Sequence, residues 1–231
     1  MSRLRVDWCA SAAAKYAVER WHYSGTMPPI KTVRMGVWWD GVFKGAVIFS
    51  RPCRNQHLMF GLAPQEVCEL ARVALDRHEG FHVTEVVARA IRMLKRRCPD
   101  LRLIVSFADP AEGHLGKIYQ AGNWIYTGES AAARMLVHKG RKLHRRHYTG
   151  ATFDNPRAKP PPGSVWIPVP GKHRYLMPLD RAMRRQVERL RKPYPRSADA
   201  LAEGTGHQPD QVVRAHPSAS LDPEAGPCAA S

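Results

Sequence analysis

The stretch SFADPAEGHLGKIYQAGNWIYTG, Ser106–Gly128, decides the fold. It continues an apolar run, LRLIVSF at Leu101–Phe107, of the kind expected for a strand at the centre of a sheet. Asp109-Pro110 is turn chemistry at the strand's end. Gly113–Ala121 then reads as a helix, and Trp124–Thr127 as the start of another strand. Ser106, Asp109, His114 and Tyr119 interrupt this core-like pattern. In open α/β sheets, side chains at the carboxyl end of a strand line the crevice where ligands bind. The stretch is therefore either a core fragment or one wall of a site.

Upstream, Val83, Val86, Val87, Ala90, Ile91 and Leu94 recur at helical spacing, which predicts an amphipathic helix to about Arg97. Val67–Leu75 before it reads as a strand, so the step from 67 to 107 implies a parallel crossover. Val33–Trp39 and Val42–Ser50 flank the turn WDG and form a hairpin. Ala10–Trp21 suits a helix, with Gly25 supplying a turn after it. Downstream, Tyr175 and Leu176 suggest a late strand. Leu179, Met183, Val187 and Leu190 mark a helix whose other face is rich in Arg. The expected class is α/β in the mixed, α+β sense: a mostly antiparallel central sheet flanked by helices, with a basic C-terminal extension. The expected boundaries are 1–133 for the core, 134–196 for the extension that completes it, and 197–231 for a disordered tail. That tail has no aromatic residue, five acids and a single Arg.

Charge is concentrated. The chain of 231 residues carries a net charge of +16, and Arg134–Arg196 alone holds 17 basic against 3 acidic side chains. A localised basic field attracts a polyanion, which points to DNA; the other reading is a solvated surface. The residues expected to meet nucleic acid are Arg141, Lys142, Arg145, Arg146, Lys172, Arg174, Arg184 and Arg185. No apolar run is long enough to span a membrane, and the N-terminus lacks an unbroken apolar stretch, so a cytoplasmic protein is expected. Five scattered cysteines without a CxxC pair argue for reduced thiols and no structural zinc. GxGxxG, Walker, HExxH and GxSxG patterns are absent, which disfavours a Rossmann dehydrogenase and a P-loop ATPase.

What remains is RHEGFH, Arg77–His82, a Gly-containing loop at the start of a helix, where backbone N–H groups can meet a phosphate. Followed by LIVSFADP and KIYQAGNW, this order resembles the N-acetyltransferase (GNAT) superfamily. There, an Arg/Gln-x-x-Gly-x-Gly/Ala loop holds coenzyme A pyrophosphate and a helix carries a Tyr. Here the loop reads Arg77-x-x-Gly80-x-His82, with His82 where a small residue is usual. A narrower resemblance rests on WHYSG (Trp21–Gly25), ELAR (Glu69–Arg72) and the opening stretch. Together these are similar to the Mom family of bacteriophage DNA-modification proteins. Members of that family convert adenine to N6-carbamoylmethyladenine and so protect phage DNA from restriction in the host cytoplasm.

The resemblance implies a catalytic set of His22, Tyr23, Ser106, Asp109 and Tyr119. It implies acetyl-CoA or a related CoA thioester as cofactor, held by Arg72, Val73, Leu75, Arg77, Gly80, His82 and Tyr119. A His–Tyr pair suits orienting or deprotonating an adenine amine, or stacking on a flipped base; the alternative is an aromatic helix cap. Asp109 either serves the amine or caps a turn, and Tyr119 is a candidate acid for the departing thiolate. With period two, Glu69 and Arg72 face opposite sides unless a bulge intervenes, and Arg72 suits an anionic cofactor group. A carbamoylmethyl group is joined through its CH2, a bond that simple acyl transfer does not make. A transition metal such as iron, held by His22, Asp109 and His114, is one way to supply the missing chemistry. A plain N-acetyltransferase acting on a protein or small amine, and a non-catalytic DNA-binding protein, are the competing readings.

Overall fold

A computed structural model describes residues 3–52, 56–76, 80–143 and 159–196. Along the chain come β1 (Leu4–Trp8), α1 (Ser11–Trp21), β2 (Thr32–Trp39), β3 (Val42–Ser50), β4 (Val67–Leu75), α2 (Val83–Arg97) and β5 (Leu103–Ala108). Then follow α3 (Lys117–Ala121), β6 (Ile125–Glu129), β7 (Ala133–His138), β8 (Arg141–Leu143), β9 (Val165–Val169), β10 (His173–Pro178) and α4 (Arg181–Glu188). Single 3-10 turns occupy Leu58–Phe60 and Pro110–Glu112.

Seven strands form one sheet in the order β1-β2-β3-β4-β5-β10-β6. All neighbours are antiparallel except β4 and β5, joined in parallel through α2, as the strand–helix–strand step requires. The hairpin turn places Asp40 and Gly41 at positive φ, where Gly and Asp are tolerated. The basic segment contributes β10 to the interior of the main sheet, and β7, β8 and β9 form a separate three-stranded antiparallel sheet. The expected tail at 197–231 lies outside the described residues.

Alternation along the strands builds two cores. Val47, Phe49, Ile104 and Tyr175 face α2 and α3, whereas Ala46, Ile48, Leu103, Val105 and Leu176 face α1 and α4. The α2 stripe Val86, Val87, Ala90 and Leu94 is buried; each larger side chain contributes about 1.5–3 kcal/mol. α4 docks through Met183 and Val187 and starts at Asp180, whose Oδ1 accepts from the Met183 N–H at 2.7 Å.

Two expectations needed correction. β1 was not anticipated, because LRVDW is short and forms an edge against β2 only. The helix expected over Gly113–Ala121 is confined to Lys117–Ala121. Gly113 and Gly116 adopt φ of +73° and +77°, left-handed values that a continuous α-helix excludes. At Gly116 a Cβ would also lie 2.4 Å from the Tyr175 ring. Gly116→Ala combines a left-handed penalty with overpacking and should lower stability by roughly 2–5 kcal/mol. The urea unfolding midpoint checks this; an unchanged midpoint would show that the contact relaxes freely.

Candidate active site

β4 and β5 pair only at Val67–Leu103, Cys68–Ile104 and Glu69–Val105. Beyond that point β4 runs on with β3 and β5 with β10, so the sheet opens at its centre. Ser106, fully buried, stands where the strands part. Its Oγ lies 2.8 Å from the Leu70 carbonyl and 2.7 Å from the Tyr119 hydroxyl. A carbonyl can only accept, so the single Ser106 proton goes to Leu70 and Tyr119 donates to Ser106. The Tyr119 ring packs between Trp124 and Tyr175, with centroids at 5.1 and 5.0 Å. Burial pushes its pKa up to about 12, so the phenol stays protonated at neutral pH and can serve as an acid or donor.

The β3–β4 register decides what approaches from the α1 face. Ile48 pairs with Arg72 but Phe49 pairs with Leu70, which leaves Ala71 as an extra residue in β4. This bulge is the one case in which Glu69 and Arg72 can share a face, and they do. The Arg72 Nε donates to the Thr26 carbonyl at 3.3 Å, just beyond the end of α1.

At that end His22 and Tyr23 stack, with centroids 4.4 Å apart, and Tyr23 meets His114 edge-on at 4.7 Å. The Ser24 N–H donates to His22 Nδ1, which leaves the imidazole proton on Nε2. Burial, reinforced by the charges of Arg72 and His114, lowers the His22 pKa to about 3. His22 is therefore a neutral hydrogen-bond donor rather than a strong base. Tyr23 is 49% exposed, and partial burial raises its hydroxyl pKa while Lys172 and Arg72 oppose the shift.

Asp109 has two partners. Oδ1 accepts from the Ala111 N–H at 3.1 Å, which caps the 3-10 turn, and Oδ2 lies 2.7 Å from Lys172 Nζ. Lys172 was read from sequence as a DNA contact. Its pairing with Asp109 brings it to the candidate site, and no local pattern could have shown this. Among the described residues no group of three or more His, Cys, Asp or Glu side chains is arranged to hold a metal ion. His22, Asp109 and His114 do not assemble as a ligand set: Tyr23 touches both imidazoles, and Asp109 is engaged with Lys172.

The other expected residues separate. Val73 and Leu75 pack towards the α2 core, and Arg77 lies outside the described residues. Gly80 is fixed by packing, since a Cβ there would come within 2.4 Å of the Trp39 indole. His82 is the N-cap of α2, and its side chain makes no cap bond to the N–H groups of that first turn. Arg141, Arg184 and Arg185 are exposed. Arg174 is half-buried, its Nε donating to Thr127 Oγ1 at 2.8 Å, and burial lowers its pKa. Arg145, Arg146 and the Lys142 side chain lie outside the described residues.

The sheet is mixed and mostly antiparallel and opens beside its one parallel pair, with a helix Tyr set into the opening. The chain is similar to the ribosomal-protein-S5-alanine acetyltransferase of Vibrio fischeri, at 12% identity and a TM-score of 0.46 over 78% of this chain and 96% of that one. It is similar to an N-acetyltransferase of Staphylococcus aureus (12%, 0.44, over 78% and 100%). The spermidine N-acetyltransferase of Vibrio cholerae, solved with CoA and spermine, matches at 9% and 0.41 over 77% and 96%. The chain belongs to the Mom protein family, whose profile matches residues 3–196. A search of curated protein sequences gave no match. No helix among the described residues is long and apolar enough to cross a membrane.

The depressed His22 pKa has a consequence for stability. Below the ordinary value of about 6.5 the unfolded chain binds a proton that the folded chain refuses until about pH 3. Stability is therefore lost as pH falls through that window, by at most about 1.4 kcal/mol per pH unit from this group. Urea titrations between pH 7 and 4.5 should show a shallower acid loss for His22→Gln than for the wild type; parallel curves would refute the assignment.

Proposed function

We propose that this protein modifies adenine in DNA at N6, forming N6-carbamoylmethyladenine and shielding phage DNA from restriction in the host cytoplasm. The observation that carries the reading is the meeting of two groups at the opening of the sheet. Tyr119 comes from one face, and His22, Tyr23 and the Asp109–Lys172 pair from the other. Membership of the Mom family and the basic segment 134–196 support DNA as the substrate.

Each side chain has a task suited to its state. The half-exposed Tyr23 ring offers a flat face for a base. Neutral His22, with its proton on Nε2, donates to a ring nitrogen and orients the base. The Asp109 carboxylate, held by Lys172, accepts from the N6 amine, whose lone pair is delocalised into the ring. The residues fit a CoA thioester in part: beyond Glu69 β4 no longer pairs with β5 in the sheet, Arg72 stands beside that edge, and the His82 side chain leaves the N–H groups at the start of α2 uncapped. The Gly80 position is filled by Trp39, so anion contacts there fall to the helix start rather than to that glycine. A bound thioester would supply a two-carbon unit; joining its CH2 to N6 also takes a two-electron oxidant and an amine for the amide nitrogen, both supplied from outside these residues, while Tyr119 acts as a protonated donor at the opening. The CH2 linkage demands chemistry beyond acyl transfer; plain acetyltransferase action would give N6-acetyladenine instead.

Mass spectrometry of nucleosides from plasmid DNA co-expressed with the protein tests the reading. A carbamoylmethyl adduct on deoxyadenosine is expected, and Asp109→Asn and Tyr119→Phe should each lower its yield by roughly a hundredfold. Unmodified adenine, or an acetyl adduct only, would overturn it.

A further inference from the structure

The 3-10 turn Leu58–Phe60 carries two of the most exposed large apolar side chains among the described residues, Leu58 at 64% and Met59 at 57%. The turn that presents them is well anchored. Phe60 is buried, and the Phe60 carbonyl accepts from Gln186 Nε2 of α4 at 2.9 Å. The Leu62 N–H donates to the His57 carbonyl at 3.0 Å, and Gly61 closes the turn in the left-handed region. Two apolar side chains are thus held out in water on a braced support, a cost the core does not require.

Their surroundings are cationic. Met59 Sδ accepts from Arg174 Nη1 at 3.5 Å. Lys172, two residues before Arg174 in the chain, holds Asp109 beside Tyr23. On α4, which is hydrogen-bonded to the turn through Gln186, Arg184 and Arg185 face solvent. An apolar tip held against one arginine, beside a helix with further exposed arginines, is poorly matched to an apolar protein groove. It matches a duplex, where the exposed arginines of α4 meet phosphates and the apolar side chains enter between base steps.

We propose that Leu58 and Met59 form a wedge that enters duplex DNA next to the target adenine and fills the space left when the base turns out towards Tyr23. This rests on the DNA-modification reading above and adds to it that the substrate is double-stranded. The work of unstacking falls to the β3–β4 turn, and the pocket receives a base already displaced.

The test uses the full chain and the variant Leu58→Ser/Met59→Ser, whose exposed positions leave the core intact; matching urea midpoints confirm this. The probes are a duplex in which 2-aminopurine replaces several adenines, and the corresponding single strand. Wild type should raise 2-aminopurine fluorescence on binding the duplex. The variant should bind within about threefold of wild type yet give little rise, because phosphate contacts supply most of the affinity. Duplex modification should fall roughly tenfold or more, while modification of the single strand changes far less. Equal losses on both substrates, full retention on the duplex, or a wild-type complex without a fluorescence rise would overturn the wedge. So would loss of binding to anionic lipid vesicles in the variant with the duplex response intact, which would make the tip a membrane contact. If no adenine is modified but the wild-type rise is present and lost in the variant, the wedge stands and the modification reading fails. If the protein does not bind the duplex, both fail.

Discussion

The candidate site depends on two strands that stop pairing. β4 and β5 share three register pairs and then separate, so the sheet has an opening at its centre rather than at an edge. A gap of this kind exposes backbone groups that a continuous sheet would satisfy, and such groups are costly to leave without partners. Ser106 meets the cost at the branch point by donating to the Leu70 carbonyl. The same hydroxyl receives Tyr119, so the device that holds the strands apart also fixes the phenol at the opening. The hydroxyl that satisfies the strand carbonyl is thus the one that positions the phenol.

The opening is populated from both faces by different means. Tyr119 arrives on a five-residue helix whose start is set by Gly116, packed against Tyr175. Arg72 arrives through the bulge at Ala71, and its contact with the Thr26 carbonyl ties β4 to the chain beyond α1. His22 and Tyr23 follow from the end of α1, where Ser24 fixes the imidazole through Nδ1. Low solvent access keeps His22 neutral and Tyr119 protonated, so both can donate hydrogen bonds at the opening.

The basic segment is less uniform than its charge suggests. Lys172 is paired with Asp109 and Arg174 is half-buried against Thr127 and Met59, so both serve the fold near the opening. Arg184 and Arg185 face solvent on a helix docked by Met183 and Val187. Net charge over a segment thus overstates the surface available to a polyanion, because some cations are already committed within the chain.

The sequence by itself determined what local periodicity and turn chemistry encode: the hairpin at WDG, the amphipathic α2, the apolar β5 and the parallel crossover that joins β4 to β5. Ser106 and Asp109 stood out as polar residues at the carboxyl end of an apolar strand, and the resemblance to a known family added His22, Tyr23 and Tyr119 as candidates. Only the tertiary structure decided how those residues meet. The one-residue bulge that brings Glu69 and Arg72 onto one face depends on how β3 and β4 align, and alignment between strands is a pairwise property that neither strand's pattern contains. The Lys172–Asp109 bridge and the insertion of β10 between β5 and β6 join segments far apart in the chain. Those contacts arise when buried strands select partners across the sheet, a choice made by packing rather than by local propensity.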